Sequence, residues 1–335
     1  MALSEVPETT VTYEQLIQLE YEFNDAEDEI LRHSYKIEAP LYERRSSLVA
    51  KIPNFWALVL EQAPPEVDQY IQPSDSQVFA ECLKNISVDR FEIDTVPKSF
   101  SLKFEFSDNE WFTDKVLEKK FYYRRSSDNW TGHVSEPVKV NWKSEKNDLT
   151  KGLTDAALKL WQAKAKSASA PTNGKSAAKP LKEHTDLAKK LERHDPTAAG
   201  FFTLFAFVSE RRYVTAEESV KANAAEKTRR AKQLAGEEGE PPEEEAESDD
   251  AEVEVCPFGA DLALIILEDV WPNAIKYFTQ AQEVDDEQLS ELDFEEIDDD
   301  SDMEVDIRSL VKGNGSKRKE KSSDGGSPPP KARKV

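Results

Sequence analysis

Residues 12–52 carry an apolar stripe that constrains the fold more than any other feature of the sequence. Apolar residues recur at steps of three and four, and His33 fills the one gap. The stripe consists of Leu16, Leu19, Phe23, Ala26, Ile30 and Ile37. This is the a/d spacing of a coiled coil, sustained over about three heptads. About 40 helical residues make a rod roughly 60 Å long, too long for a small domain to cover. The stripe therefore predicts that the helix pairs with a second copy of the chain.

The spacing leaves open how the stripe is covered and what Pro40 does to the helix. The alternative to self-association is that the stripe packs inside its own chain. Pro40 lies within the pattern, and proline removes a backbone donor and clashes with the preceding turn. We therefore expect Pro40 to kink the helix or to end its regular part. For His33, the position in the stripe favours a polar packing role over catalysis.

The hydrophobic period changes after this helix. Pro53 begins a short apolar helix, and residues 66–84 have helical periodicity that ends near Cys82. Four later segments alternate apolar and polar residues, which predicts strands. They are ISVDRFEID (86–94), SFSLKFEF (99–106), KKFYYRR (119–125) and PVKVNWKS (137–144). The pattern predicts an α+β fold in which a four-stranded antiparallel sheet is covered by helices on its apolar face.

The composition of the later segments indicates their character. Residues 164–182 are rich in Ala, Ser, Lys and Pro, which predicts a flexible segment. Asp195 and Pro196 fit the N-cap and first position of a buried helix. Residues 209–255 contain a charged helix and then an acidic tract, and a later apolar helical segment stops at Pro272.

These observations divide the chain into five parts. The predicted parts are a disordered N terminus (1–11), the long dimerisation helix (12–52), the α+β domain (53–282), a disordered acidic tail (283–311) and a basic tail (312–335).

The negative charge is concentrated in two tracts. The chain of 335 residues has a formal net charge of −23. Residues 237–254 hold 11 acids and residues 283–306 hold 14, with no base in either tract. Dense like charge keeps a segment disordered and attracts cations. A basic protein is therefore the expected partner, and specific binding to nucleic acid is disfavoured because phosphates would be repelled. A simple solubility role is the alternative.

The sequence contains no constellation of residues that indicates catalysis. Cys82 and Cys256 do not have metal-ligand spacing and suit a reducing compartment. The N terminus lacks the features of a signal peptide, and the longest apolar run, LALIIL, is too short to span a bilayer. The four histidines lie in no metal-binding or Ser-His-Asp context. We therefore expect a soluble intracellular protein with no enzymatic activity, cofactor, metal or membrane contact.

Five motifs, taken in order, resemble one known family. They are KIPNFW (51–56), NEWFTDKVLEKKF (109–121), VNWKSEKNDLTKG (140–152), GFFTLF (200–205) and LEDVWPNAIKYF (267–278). Together they look like the nucleosome assembly protein family, and more closely its SET-like branch. The chain departs from the family pattern at 209–255, where an insertion separates GFFTLF from the VWPN motif.

The resemblance implies both an architecture and a function. It implies a homodimer whose long helices pair antiparallel, with an α/β "earmuff" domain at each end. It also implies a histone chaperone, which shields core histones and promotes nucleosome assembly and disassembly without ATP. Because SET-like proteins also act as partners of histone acetyltransferases and as phosphatase inhibitors, a role as an adaptor or regulatory subunit is the alternative.

The resemblance further implies which residues contact histones. Glu268 and Asp269 precede the VWPN turn and match paired acids of the family motif, although they could instead cap or solubilise that helix. The second acidic tract would add a histone-attracting arm. Its carboxylates are Glu283, Asp285, Asp286, Glu287, Glu291, Asp293, Glu295, Glu296, Asp298, Asp299, Asp300, Asp302, Glu304 and Asp306.

The basic tip of the chain predicts nuclear import. Lys317 and Arg318 are followed, after twelve residues, by Lys331, Arg333 and Lys334. This is the spacing of a bipartite signal that an importin reads. Together with the chromatin-type resemblance, it predicts a nuclear protein that can shuttle with the cytoplasm. The alternative is an intramolecular clasp, in which the basic tip masks the acidic tract.

Overall fold

The computed structural model does not describe every part of the chain. It describes residues 11–168, 181–193, 200–235, 237 and 253–291. Several sequence predictions therefore lie outside the described residues. They are the N terminus up to residue 10, the middle of the 164–182 segment, the capping by Asp195 and Pro196, most of both acidic tracts, and the basic tip.

The long helix forms where the stripe predicts it. Helix α1 spans Tyr13–Val49, slightly inside the predicted 12–52. Thr12 and Gln15 form a reciprocal capping box, in which each side chain accepts a hydrogen bond from the other residue's backbone N–H. Pro40 lies inside α1 and does not end it. The helix is held against the domain on both sides of Pro40, by Arg32 and Arg45, and these contacts offset the loss of one backbone hydrogen bond.

The sheet follows α1 and three short helices. Its four antiparallel strands pair in chain order, which confirms the predicted architecture. They are β1 (Leu83–Asp89), β2 (Phe100–Phe106), β3 (Val116–Arg125) and β4 (Thr131–Ser135). The alternate residues Phe100, Leu102 and Phe104 of β2 are fully buried, and Leu117 and Phe121 of β3 lie beside them on the same face. One face of the sheet therefore forms the core of the domain.

The prediction of the fourth strand in residues 137–144 is wrong. Strand β4 is Thr131–Ser135, and it pairs along β3. Strand β4 thus occupies the edge of β3 that residues 137–144 would need in order to pair. The turn at Asn129 folds β4 back onto β3. Trp142 makes only an isolated bridge with Phe112. The alternation in 137–144 reflects burial against the core and not a place in the sheet.

The helices that cover the sheet also differ from the predicted spans. Helix α2 is Phe55–Glu61, and the predicted helix at 66–84 is split into α3 (Pro65–Asp68) and α4 (Pro73–Cys82). Pro73 causes the break, because it begins α4 at the first helical position. The GFFTLF motif is a fully buried 3-10 helix, Phe201–Ala206.

The glycine of GFFTLF allows two backbone segments to approach closely. Asp75 Oδ2 accepts hydrogen bonds from the backbone N–H of Gln72 (3.0 Å) and of Phe201 (2.8 Å). It thereby links the start of α4 to the start of the 3-10 helix. A Cβ atom on Gly200 would lie 2.5 Å from this carboxylate oxygen. Any larger residue at position 200 would therefore displace the link.

Part of the flexible segment and part of the insertion are folded. Helix α5 (Leu153–Ala168) and helix α6 (Lys182–Leu191) include the two ends of the predicted 164–182 segment. Helix α7 is Ala216–Leu234, within the insertion. Its Ser219 hydroxyl accepts from the backbone N–H of Arg125 at 3.0 Å. The Arg230 guanidinium of α7 lies 3.6 Å from the Tyr21 ring centroid, so the helix joins the sheet to α1.

The chain returns to the core after the insertion. Helix α8 (Gly259–Ile265) continues into a π-helix, Ile266–Val270, and Pro272 lies in the turn that follows. Helix α9 spans Ala274–Glu291. Residues 283–291 therefore belong to a helix, which corrects the prediction that the disordered tail begins at residue 283.

A lysine lies fully buried on the core face of β3. The Lys119 ammonium donates to three backbone carbonyl oxygens, those of Glu136 (2.7 Å), Phe205 (3.2 Å) and Phe207 (2.6 Å). Burial lowers the pKa of Lys119 to about 7, and the nearby Glu254 carboxylate opposes this shift. Lys119 thus ties the sheet to the end of the 3-10 helix.

We expect Lys119→Met to lower the free energy of unfolding by about 2–4 kcal/mol, because it removes three hydrogen bonds of the ammonium at once, whereas the Phe205 carbonyl keeps the Val138 N–H as a donor. Urea unfolding would measure the change. The matched control is Lys120→Met, since Lys120 is the next residue of β3 and is exposed; we expect it to cost no more than about 0.5 kcal/mol. Equal losses in the two variants would contradict the assignment.

The pH dependence gives a second test of Lys119. In the unfolded chain the ammonium keeps its proton to well above pH 9, whereas the folded protein releases it near pH 7. The unfolded state therefore binds more protons, so this residue makes stability rise between pH 7 and 9. Lys119→Met should remove that increment.

Candidate functional site

The stripe of α1 is uncovered in the single chain. The large stripe residues are 48–69% exposed, and Ala26 is exposed as well. The large members are Leu16, Leu19, Phe23, Ile30 and Ile37. In the described part of the chain, the stripe therefore does not pack inside its own chain.

The stripe also extends further along α1 than its predicted end at Ile37. Leu41 and Leu48 are 52% and 58% exposed, and they follow Ile37 by four and eleven residues. Arg44 occupies the position between them. The strict alternation of three and four continues from Ile37 to Pro40, so it misses both leucines, and a second step of four after Ile37 is needed to reach them.

The opposite face of α1 lies against the domain. Arg32 Nε donates to the Ile93 carbonyl at 3.2 Å, and the Tyr35 hydroxyl donates to Asp89 Oδ1 at 2.7 Å. At 100° per residue, Arg32 and Tyr35 lie roughly on the far side of the helix from the stripe. The domain therefore holds α1 in place without covering its apolar side.

A groove opens between the domain-facing side of α1 and the domain. It has a volume of about 760 Å³. One wall is the second half of α1, and the other is β1 with the π-helix and the turn that follows it. Aromatic rings form much of its lining. They belong to Tyr35, Tyr42, Trp56 and Trp271.

Arg45 fixes the geometry of this groove. Its Nη1 donates to the carbonyl of Trp271 at 2.5 Å and of Pro272 at 3.2 Å. Its guanidinium lies 4.7 Å from the Tyr42 ring centroid and 4.6 Å from that of Trp271. Burial lowers the pKa of Arg45. The side chain thus joins α1 to the VWPN turn, and no local sequence pattern pointed to it.

The rim of the groove has an excess of carboxylates. Four acids line it, and all four side chains are exposed. They are Glu38, Glu43, Asp89 and Glu268. The two lining bases are both engaged on backbone carbonyls, Arg45 as described and Arg90 on Pro97 at 2.8 Å. Four negative and two positive charges leave a net charge of −2 around an aromatic floor.

The two carboxylates of the LEDVWPN motif have different surroundings. Asp269 accepts hydrogen bonds from Asn273 Nδ2 and from the Tyr277 hydroxyl, each at 2.8 Å. Its main contacts are thus within the chain, as in the capping alternative. Glu268 is exposed on the rim of the groove and faces Arg90, whose pKa is lowered by burial. Of the pair, Glu268 is the more exposed.

The remaining site predictions lie on α9 or beyond the described residues. Glu283 is exposed, and residues 285–291 continue along α9. The acids from 293 to 306 and the import residues from 317 to 334 lie outside the described part of the chain. Both cysteines are buried free thiols. Within the described ranges, no cluster of three potential metal ligands occurs, and no helix is long and apolar enough to cross a membrane.

Comparisons with known proteins identify a family for most of the chain. A family model for nucleosome assembly proteins matches residues 12–281. A Schizosaccharomyces pombe protein named for nucleosome assembly is 36% identical over 150 residues, which are 42% of this chain and 61% of that protein. Protein SET of Drosophila melanogaster is 30% identical over 145 residues, 42% of this chain and 48% of that protein. The matched region is less than two thirds of either relative.

Among solved structures, the crystal structure of Ccp1 is similar to this chain with a TM-score of 0.47 and 26% identity. The match covers 86% of this chain and 98% of Ccp1.

Proposed function

The chain belongs to the nucleosome assembly protein family, and on this premise we propose that it is a histone chaperone. It would shield the positive charge of core histones and release them to DNA, without ATP and without covalent chemistry. Its site of action would be the nucleus, which the basic tip lets it enter through an importin. We also propose a histone acetyltransferase as a partner, on the basis of the family relationship.

The observation that carries the proposal is the acid-rimmed groove beside α1. Glu38, Glu43 and Glu268 are exposed, and the arginines of the groove are turned to backbone carbonyls. A histone segment carries closely spaced lysines and arginines between apolar residues. Its cations would meet a rim with an excess of carboxylates, and the aliphatic parts of its side chains would pack on the aromatic floor.

The acidic arm would extend this surface. Helix α9 leads from the VWPN turn into the second acidic tract, and its last residues already carry acids. A dense negative segment raises the local concentration of a cationic partner and speeds its encounter. The groove would then supply the shorter-range contacts.

Self-association through α1 supports the same function, because it places two grooves in one particle. Seven large apolar side chains of the stripe are about half exposed. They offer on the order of 700 Å² per copy, close to the ~800 Å² per partner of a standard interface. The occupant we propose for the stripe is therefore the stripe of a second copy.

The double variant Leu19→Glu, Ile30→Glu tests the dimer. Two carboxylates per helix would have to be buried without partners, so we expect the dissociation constant to rise at least ~1000-fold. Sedimentation velocity at micromolar concentration should show monomers, and circular dichroism should show a folded domain. The control variant Lys36→Glu, Ser47→Glu adds the same groups at exposed positions off the stripe and should stay dimeric. A dimer of unchanged strength in the stripe variant would disprove the pairing.

The triple variant Glu38→Gln, Glu43→Gln, Glu268→Gln tests the groove. Exposed ion pairs contribute about 0.2–1 kcal/mol each, so the loss of three should lower core-histone affinity about 3- to 150-fold. Fluorescence titration with labelled core histones would measure it. The control Glu110→Gln, Glu118→Gln, Glu217→Gln removes three exposed acids that do not line the groove. Equal losses in both variants would mean that only net charge matters.

Deletion of residues 292–306 tests the arm, because it removes nine carboxylates and no base. We expect slower histone association with a weaker salt dependence and a smaller change in the dissociation rate. Stopped-flow mixing at several salt concentrations would show this. A variant with the same 15 residues in scrambled order should behave as the wild type. If the deletion leaves rates and salt slope unchanged, the tract acts only as a solubility segment.

A further inference from the structure

The groove beside α1 has an apolar floor, because its aromatic rings use their polar ends elsewhere. The Tyr35 hydroxyl donates to Asp89 Oδ1 at 2.7 Å, and Trp271 Nε1 donates to the Ile86 carbonyl at 3.2 Å. Both side chains are only partly buried, so their ring atoms remain open to the groove. The orientation of the rings is thus fixed before a ligand arrives.

Aromatic rings beside an excess of carboxylates suit one kind of ligand, a proline-rich segment that also carries bases. Prolines hold a chain in the extended polyproline II helix, which loses little entropy on binding and packs well on aromatic rings. Lysines and arginines next to the prolines would meet the acids of the rim. A ligand with charge alone would leave the floor of the groove unused.

The chain contains such a segment at residues 328–334, with the sequence PPPKARK. Three prolines are followed by three bases, and the segment has no acid. The other adjacent prolines of the chain do not fit this description. The pair at 64–65 lies at the start of α3, and the pair at 241–242 is followed by three glutamates. Residues 328–334 are therefore the segment of this chain that matches the chemistry of the groove.

The size and charge of the segment also match the groove. In a polyproline II helix, seven residues span about 20 Å at about 3.1 Å each. The groove follows α1 from Leu31 to Ser47, which is about 24 Å at about 1.5 Å per residue. The three bases of the segment oppose the net charge of −2 on the rim, in which Arg45 and Arg90 are already counted.

The segment can reach the groove from its own chain. Helix α9 starts at Ala274, close to the groove-lining Pro272, and its 18 residues extend about 27 Å. Residues 292–327 join α9 to the segment. A coil of that length has a root-mean-square end-to-end distance of about 33 Å. Because this distance is close to the span, the effective concentration of the segment at the groove is near its maximum, about 1 mM.

We propose that residues 328–334 dock in the groove of their own chain and compete there with histones. The inference rests on the proposed function, because the groove is the proposed histone site. A histone must displace the segment before it binds, so the apparent histone affinity is lower than that of the open groove. The acidic tract at 283–306 attracts the same bases, but that attraction gives the prolines no role. The prolines therefore distinguish the groove from the tract.

The variant Pro328→Ser, Pro329→Ser, Pro330→Ser tests the competition on the full-length chain, because it keeps every charge and every predicted import residue. With a dissociation constant of about 0.2 mM for the segment and an effective concentration of about 1 mM, core histones should bind about sixfold more tightly to the variant. Fluorescence titration would measure this. The control Pro241→Ser, Pro242→Ser should bind like the wild type. Wild-type affinity in the triple variant would disprove the competition.

Cross-linking tests the docking without histones. A photoreactive benzoylphenylalanine in place of Ala332, in the full-length chain, should cross-link to the walls of the groove, and mass spectrometry would locate the products. The substitutions Glu38→Gln, Glu43→Gln and Glu268→Gln should reduce these cross-links severalfold, and added core histones should also reduce them. Cross-links confined to residues 283–306 would overturn the proposal, because the acidic tract would then hold the bases.

Failure of the proposed function would give a different result. If the groove is not the histone site, the same three Glu→Gln substitutions still reduce the cross-links, but they leave histone affinity unchanged. Added core histones then fail to displace the segment. Docking of residues 328–334 in the groove would stand in that case, and the competition with histones would be refuted.

Discussion

The domain is too short to cover α1, and much of the structure depends on this mismatch. α1 has 37 residues, and the domain holds it along one side through Arg32, Tyr35 and Arg45. The other side keeps an apolar stripe from Leu16 to Leu48 in solvent. Burial of such a stripe is favourable in proportion to its area, and this is the physical basis of the proposed pairing with a second copy.

The same attachment of α1 also creates the groove. Arg45 reaches from α1 to the carbonyls of the VWPN turn, so the helix stands beside β1 with open space between them. Both arginines of the groove are held on backbone carbonyls, and the four acids of the rim still outnumber them. The rim therefore keeps a negative excess even though Arg90 lies near Glu268.

The misplaced fourth strand has a physical cause. Residues 137–144 alternate like a strand, but β4 reaches the edge of β3 first through the tight turn at Asn129. The local pattern was real, and competition from the nearer segment decided the outcome. Asp269 also accepts hydrogen bonds within the chain, from Asn273 and Tyr277, and its contact with histones stays a prediction.

The sequence by itself determined the features that depend on neighbours along the chain. The three-and-four spacing determined α1 and its stripe, the period of two determined three of the four strands, and the runs of like charge determined where the acidity lies. Only the tertiary structure decided which polar groups are used internally. Arg45, Asp75 and Lys119 look like surface residues in the sequence, yet they bind backbone groups far away in the chain. A buried charge needs partners at hydrogen-bond distance, and those partners come together only when the chain is folded.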